Sequence, residues 1–115
     1  MAGTRLFNRF TPSLKQPTSI SMINVKASSN IEVSWISLDL NVNRHTVQFS
    51  VNGGTWGSSI SANGSGGYTL VRTPASLGGI VNGDSIRCRL TAGNALDQYP
   101  RSQNWAYTNT LVYDG

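Results

Sequence analysis

The chain has 115 residues, a length that suits one domain. Charged residues make up 12% of it, about half the share usual in soluble proteins, so uncharged polar residues must supply most of the wettable surface. The net charge is +4, but the basic residues form no run, which argues against sequence-specific nucleic-acid binding. No apolar stretch approaches membrane-spanning length or resembles a secretory signal, so we expect no membrane partner.

The first residues differ from the rest, and we predict an N-terminal arm over 1–18 followed by one domain over 19–115. Several apolar residues of the arm have helical spacing, but Pro12 stands among them and disfavours a continuous helix. The segment is also too apolar for a typical disordered tail. We therefore predict an extended arm, which either packs on its own sheet as an added strand or binds a partner through Arg5, Leu6, Phe7, Arg9, Phe10 and Leu14.

The rest of the chain shows short stretches of strand periodicity separated by turns. Asn52-Gly53-Gly54 is a strong hairpin signal because these residues accept positive φ. The stretch Gly57–Gly67 is rich in Ser and Gly, and we predict a long loop with a functional role. The predicted strands cover 19–26, 31–35, 44–51, a return strand beginning at Thr55 and Trp56, 68–72, 84–92 and 105–113.

The clearest strand is the stretch from Asp84 to Ala92. Its apolar residues, such as Cys88, alternate with polar ones, and successive side chains of a strand point to opposite faces. One face is therefore dry, and the other carries Arg87 and Arg89. Together with the turn spacing, this pattern predicts an all-β protein, an antiparallel β-sandwich of about seven strands with an extended N-terminal arm.

The order of landmarks resembles a fibronectin type III or immunoglobulin-like sandwich over about residues 17–113. The residues that carry the likeness are the Pro17-led first strand, the pattern Ile31-x-Val33-x-Trp35, and the run from Ile86 to Asn94. The resemblance implies that Trp35 plugs the core. The corner tyrosine of the family is missing, because Ile86 stands at the matching position. The stretches Ser50–Trp56 and Asn82–Leu90 also resemble segments that are common in bacterial and phage sandwich repeats of this type.

Nothing in the sequence indicates catalysis. Cys88 lies on the dry face, where a free cysteine acts as an apolar filler. His45 is the only histidine, and the carboxylates are scattered, so we expect a surface or strand-start histidine, no metal site and no cofactor. No serine lies in a nucleophile elbow. The chain is therefore not expected to be an enzyme.

Two binding surfaces remain as hypotheses. Arg87 and Arg89 share the outer face of one strand, where they are merely solvated, dock an acidic partner or, if the strand is at an edge, protect it against aggregation. Trp56 and Tyr99 are candidates for stacking on a glycan, although packing in the core is the simpler interpretation of aromatic residues.

The function that these observations favour is a viral structural protein, in particular a bacteriophage capsid decoration or cement protein that docks on neighbouring capsid subunits. The alternative is a module of a phage tail or fibre, or of an adhesin, that binds carbohydrate. The expected partners are capsid or tail proteins, with self-association left open. The expected location is the virion, assembled in the host cytoplasm.

Overall fold

The computed structural model describes residues 14–63, 67–94 and 105–115, and within these ranges the chain forms two antiparallel sheets that enclose one main core. The only helical element in this part of the chain is a 3-10 turn at Ala75–Leu77. The strands are β1 (Thr18–Val25), β2 (Asn30–Ile36), β3 (Arg44–Val51), β4 (Ile60–Asn63), β5 (Gly67–Arg72), β6 (Ser85–Gly93), β7 (Ala106–Tyr107) and β8 (Leu111–Val112). The all-β sandwich predicted from the sequence is confirmed.

The connection between β2 and β3 crosses from one sheet to the other. Strand β2 is the centre of a three-stranded sheet, between β1 and β5. In the second sheet β4 and β6 flank β3, and the far side of β6 pairs first with β8 and later with β7. The longest ladder joins β3 to β6, from Arg44 opposite Gly93 to Val51 opposite Ile86.

The core forms where the dry faces of the two sheets meet. Trp35 of β2 is 1% exposed and confirms the predicted core tryptophan. Its indole stacks on the ring of Tyr68 and meets His45 edge to face, each at 5.2 Å between ring centroids. Burial of large apolar side chains is the main favourable term in such a fold. The side chains of β6 that face this core, all fully buried, are Ile86, Cys88 and Leu90.

The predicted return strand at Thr55 and Trp56 is wrong, because strand pairing resumes only at Ile60, opposite Val47. The intervening segment stays attached to β3 through single backbone hydrogen bonds. In the clearest of these, the N–H of Gly57 donates to the carbonyl of Phe49 at 2.9 Å. The predicted loop at Gly57–Gly67 therefore contains β4.

The predicted last strand is interrupted between β7 and β8. The side chain of Asn109 bridges to the other sheet: its amide nitrogen donates to the Met22 carbonyl at 3.1 Å, and its amide oxygen accepts from the Met22 N–H at 3.0 Å. Thr108 bonds to the backbone of Cys88. The backbone N–H of Thr108 still donates to the Cys88 carbonyl at 2.9 Å, but the Cys88 N–H donates to the Thr108 hydroxyl instead of its carbonyl, so regular pairing ends there. No local pattern in the sequence indicates these bonds.

His45 lies in the core and not on the surface. It is the second residue of β3 and has the same inward parity as Val47, so it is 1% exposed. Burial lowers its pKa to about 4, because desolvation disfavours the imidazolium. Neither ring nitrogen has a hydrogen-bond partner among the described residues.

We predict that His45 makes the fold sensitive to mild acid. The pKa of His45 in the folded protein is lower than its ordinary value of 6.5. The contribution of the neutral imidazole to the free energy of unfolding is therefore complete above about pH 6.5 and is lost as the pH falls towards 4. The pKa difference corresponds to about 3 kcal/mol of unfolding free energy. Urea unfolding across this range should show the loss in the wild type, whereas His45→Leu should flatten the profile. Equal pH profiles for the two proteins would contradict this account.

Candidate interaction surface

The outer face of β6 carries two arginines at alternate positions, Arg87 and Arg89. Both point away from the core because their neighbours Ile86, Cys88 and Leu90 point into it. Arg87 is exposed, and Arg89 is partly covered. The structure thus confirms the outward direction that the sequence pattern predicted for both side chains.

Arg89 lies between two tryptophan rings. Its guanidinium carbon is 4.3 Å from the centroid of the Trp56 ring and 4.1 Å from that of Trp105. Its Nε and Nη2 donate to the same acceptor, Oε1 of Gln48, at 2.9 and 2.7 Å. The amide nitrogen of Gln48 donates in turn to Ser59 Oγ at 3.2 Å. Cation–π contact and paired hydrogen bonds therefore hold the guanidinium in one orientation.

Arg87 extends this arrangement along the strand. Its guanidinium carbon is 5.1 Å from the centroid of the Tyr107 ring and 5.9 Å from that of Trp56. The Trp56 and Tyr107 rings lie 5.9 Å apart at 57° to each other. We call the group of two arginines, three aromatic rings and one glutamine the arginine–aromatic surface; its members are Gln48, Trp56, Arg87, Arg89, Trp105 and Tyr107.

Strand register brings these residues together from distant parts of the sequence. Gln48 of β3 lies opposite Arg89, and Arg89 lies opposite Tyr107 of β7, so the three form one row across the sheet. Trp56 reaches the row from the segment between β3 and β4. Gln48, Trp105 and Tyr107 were not predicted as site residues, since sequence alone does not give the register of strands so far apart.

The charge on this surface is uncompensated within the described ranges, where neither of its arginines has a carboxylate partner. Four carboxylates are described, and each lies elsewhere. Glu32 is on the other sheet and Asp114 pairs with Lys26. Asp39 and Asp84 accept hydrogen bonds from the chain, and these bonds lower the pKa of both. Their bonding partners are the Lys15 and Asn41 N–H groups for Asp39, and the Asn52 amide and Val81 N–H for Asp84.

The one cysteine and the one histidine of the chain are both buried. Cys88 is fully buried, and burial raises the pKa of its thiol to about 12, so the thiolate form is suppressed. His45 is buried and uncharged near neutral pH. Across residues 14–63, 67–94 and 105–115, no group of three or more His, Cys, Asp or Glu side chains is placed to hold a metal ion. No helix in those ranges has the length and apolarity to cross a membrane.

Only some of the partner-binding residues predicted from the sequence fall on this surface. Arg87 and Arg89 lie together on it, and the candidate glycan-binding residue Trp56 lies beside them. Leu14 does not: it is 4% exposed and packs with Val42 and Ala92 of its own domain, so it is not available as an exposed docking residue. The remaining predicted residues lie outside the described ranges; these are Arg5, Leu6, Phe7, Arg9, Phe10 and Tyr99.

Comparisons with known proteins support the fold. No family model matches the chain, and no curated protein matches it. A myokine structure is 13% identical over 88% of this chain and 96% of its own, with a TM-score of 0.57. An Fn3-like protein from Clostridium thermocellum is 18% identical over 85% of this chain and 94% of its own, with a TM-score of 0.54.

The kinase region of twitchin from C. elegans is also similar, at 18% identity over 89% of this chain and a TM-score of 0.56. This chain spans only 17% of that structure, whose domains, Fn31-NL-kin-CRD-Ig26, include fibronectin and immunoglobulin modules. At these identities the likeness concerns the fold alone. The predicted resemblance to fibronectin type III and immunoglobulin-like sandwiches is confirmed at that level.

We predict that Arg89 and Trp56 stabilise each other measurably. In a double-mutant cycle of Arg89→Leu and Trp56→Leu, the coupling in unfolding free energy should be about 0.5–1 kcal/mol, as expected for cation–π contact at a partly covered site. Chemical denaturation of the four proteins gives the value. A matched cycle of Lys26→Leu with Trp56→Leu should be additive, because no contact joins that pair. Additivity in both cycles would mean that the Arg89–Trp56 contact does not form in solution.

Proposed function

We propose that this domain, a fibronectin type III or immunoglobulin-like sandwich, is a non-enzymatic interaction module that docks on an acidic partner through the arginine–aromatic surface. The observation that carries the proposal is the position of Arg89 between the rings of Trp56 and Trp105, with no carboxylate partner among the described residues. Arginine and aromatic residues are enriched among the residues that dominate protein interfaces.

Pre-organisation favours this surface as a binding site. A free arginine loses side-chain freedom when it binds, which lowers affinity. Gln48 and the two indoles already hold Arg89, so less entropy remains to be lost. Gln48 occupies the Nε–Nη2 edge of the guanidinium, so the donors left for a ligand are those of Nη1 and the second hydrogen of Nη2. An incoming carboxylate meets a fixed donor group, and Arg87 supplies a second charge close by.

We propose further that the larger assembly is a bacteriophage particle, with this domain as a capsid decoration or cement protein. The support is the low-charge polar surface, the sandwich fold and the apolar, basic composition of residues 1–13. On a lattice, many copies with individually weak contacts bind together through avidity. Leu14 then serves as the anchor at which the predicted arm leaves the domain, because its side chain is buried there.

A carbohydrate-binding module of a phage tail or fibre, or of an adhesin, is the second candidate, and the position of Trp56 favours it. The indole is partly exposed and lies beside the Tyr107 ring, as in a stacking platform. However, Arg89 lies over the Trp56 ring and competes with a sugar for that position. A glycan array with the wild type and Trp56→Ala separates the two candidates: sugar binding that the substitution abolishes, with folding intact, supports this second one.

We predict that the two arginines dominate binding to an acidic polypeptide. Immobilised poly-L-glutamate should retain the wild type, and the double variant Arg87→Gln, Arg89→Gln should bind at least about tenfold more weakly because two charge-assisted contacts are lost. A charge-matched control, Lys15→Gln with Lys26→Gln, should change the affinity by less than about twofold. Equal loss in both double variants would indicate attraction by net charge and would contradict a defined surface.

We predict that the native protein sediments with particles through its arm. In density gradients of material from its source, the wild type should appear in fractions containing capsid proteins, and a chain lacking residues 1–13 should bind much more weakly, because only the arginine–aromatic surface then remains for docking. The deletion stops at residue 13, since Leu14 belongs to the core. A control of full length, with Thr4 and Asn8 replaced by serine, should sediment like the wild type. Free native protein at the top of the gradient would refute the virion proposal.

A further inference from the structure

A groove of about 580 Å³ opens between the two sheets, away from the arginine–aromatic surface. One wall comes from the end of β3, the segment that follows it and the first residue of β4. The other wall comes from the end of β5 and the 3-10 turn. Its apolar lining consists of Phe49, Val51, Ile60 and Leu77. This volume lies within the range of small-molecule sites, roughly 300–1,000 Å³.

One cation, Arg72, lines the groove. It ends β5, and it shares the inward parity of Tyr68 and Leu70, which pack against the core. The register places it opposite Ile31, a fully buried residue of β2. An arginine thus stands on the inner side of a sheet, at a position where an apolar side chain is usual.

Among the residues that the structure describes, no carboxylate pairs with Arg72. Its Nε is buried and has no hydrogen-bond partner among the described residues. The groove-lining residues include no carboxylate, and their polar side chains are hydroxyls: Thr55, Ser58 and Ser76. Burying an unpaired donor is costly, and the cost is greater for a charged group. A ligand with a negative charge at this position would remove that cost.

We propose that the groove binds a small apolar monocarboxylate, with its carboxylate on Arg72 and its hydrocarbon part along Phe49, Ile60 and Leu77. Charge complementarity selects an anion, because Arg72 is the only charged residue among the described residues of the lining. The apolar walls select a hydrocarbon body over a sugar or a nucleotide. A single arginine matches a single carboxylate in a bidentate pair. This site is independent of the function proposed above, and either proposal can fail without the other.

Decanoate is the probe that tests the site. Titration into the isotope-labelled full chain should shift the methyl signals of Val51, Ile60 and Leu77 in NMR spectra, and those of Val42, which packs in the separate cluster with Leu14 and Ala92, should stay in place. Decanol, which has the same chain without the charge, should bind roughly tenfold more weakly or worse, because the charge-assisted contact is absent. Equal affinity for the two ligands, or no shift of the lining methyl groups at millimolar decanoate, would overturn the proposal.

Substitutions test whether the carboxylate of decanoate binds at Arg72. Arg72→Gln should weaken decanoate binding by about tenfold or more and leave the decanol affinity within about twofold. Lys26→Gln removes an equal charge from an exposed position outside the lining and should not change either affinity. If Arg72→Gln fails to fold, Ser76→Glu serves instead, since it adds a carboxylate to the lining and should repel the ligand.

The C-terminus of a peptide is the competing ligand, because it offers the same two groups, a carboxylate and an apolar side chain. Acetylated peptides ending in leucine carry an apolar group and a carboxylate, but they also bring backbone amides for which the apolar walls offer few partners. We expect them to bind more weakly than decanoate. Binding of such peptides at concentrations where decanoate does not bind would overturn the assignment to a free small molecule.

Discussion

Strand β6 is the element on which both the core and the interaction surface depend, because its side chains from Ile86 to Leu90 alternate between interior and exterior. Ile86, Cys88 and Leu90 are fully buried, and Arg87 and Arg89 lie between them on the other side. A register shift of one residue would exchange the two sets and place arginines in the core. The burial that stabilises the sandwich therefore also fixes where the arginines stand.

Strand periodicity allowed most of the fold to be predicted from the sequence. The alternation in β2, β3 and β6 indicated the strands, the dry faces and the place of Trp35, because periodicity is a local property. The two errors in strand assignment have non-local causes. Asn109 bonds to Met22 in the other sheet and breaks the last strand, and Gly57 is held on β3 by a single bond to Phe49.

The interaction surface was only half predictable. The direction of Arg87 and Arg89 followed from parity within one strand, but Trp105 and Gln48 join them only through pairing between strands far apart in the chain. Polar residues that face inward were also missed. His45 and Arg72 share the parity of apolar neighbours, yet a polar residue in a strand is usually assigned to the outer face.

The most direct test of the account is the environment of Arg89 in solution. Protons held close to the faces of two indole rings experience strong ring currents. If Arg89 lies between Trp56 and Trp105, the proton NMR signals of its Cδ methylene and Nε–H will be displaced well upfield, and either Trp56→Leu or Trp105→Leu will return them part of the way. Signals at the positions of a freely solvated arginine, unmoved by both substitutions, would contradict the pre-organised surface on which the proposed function rests.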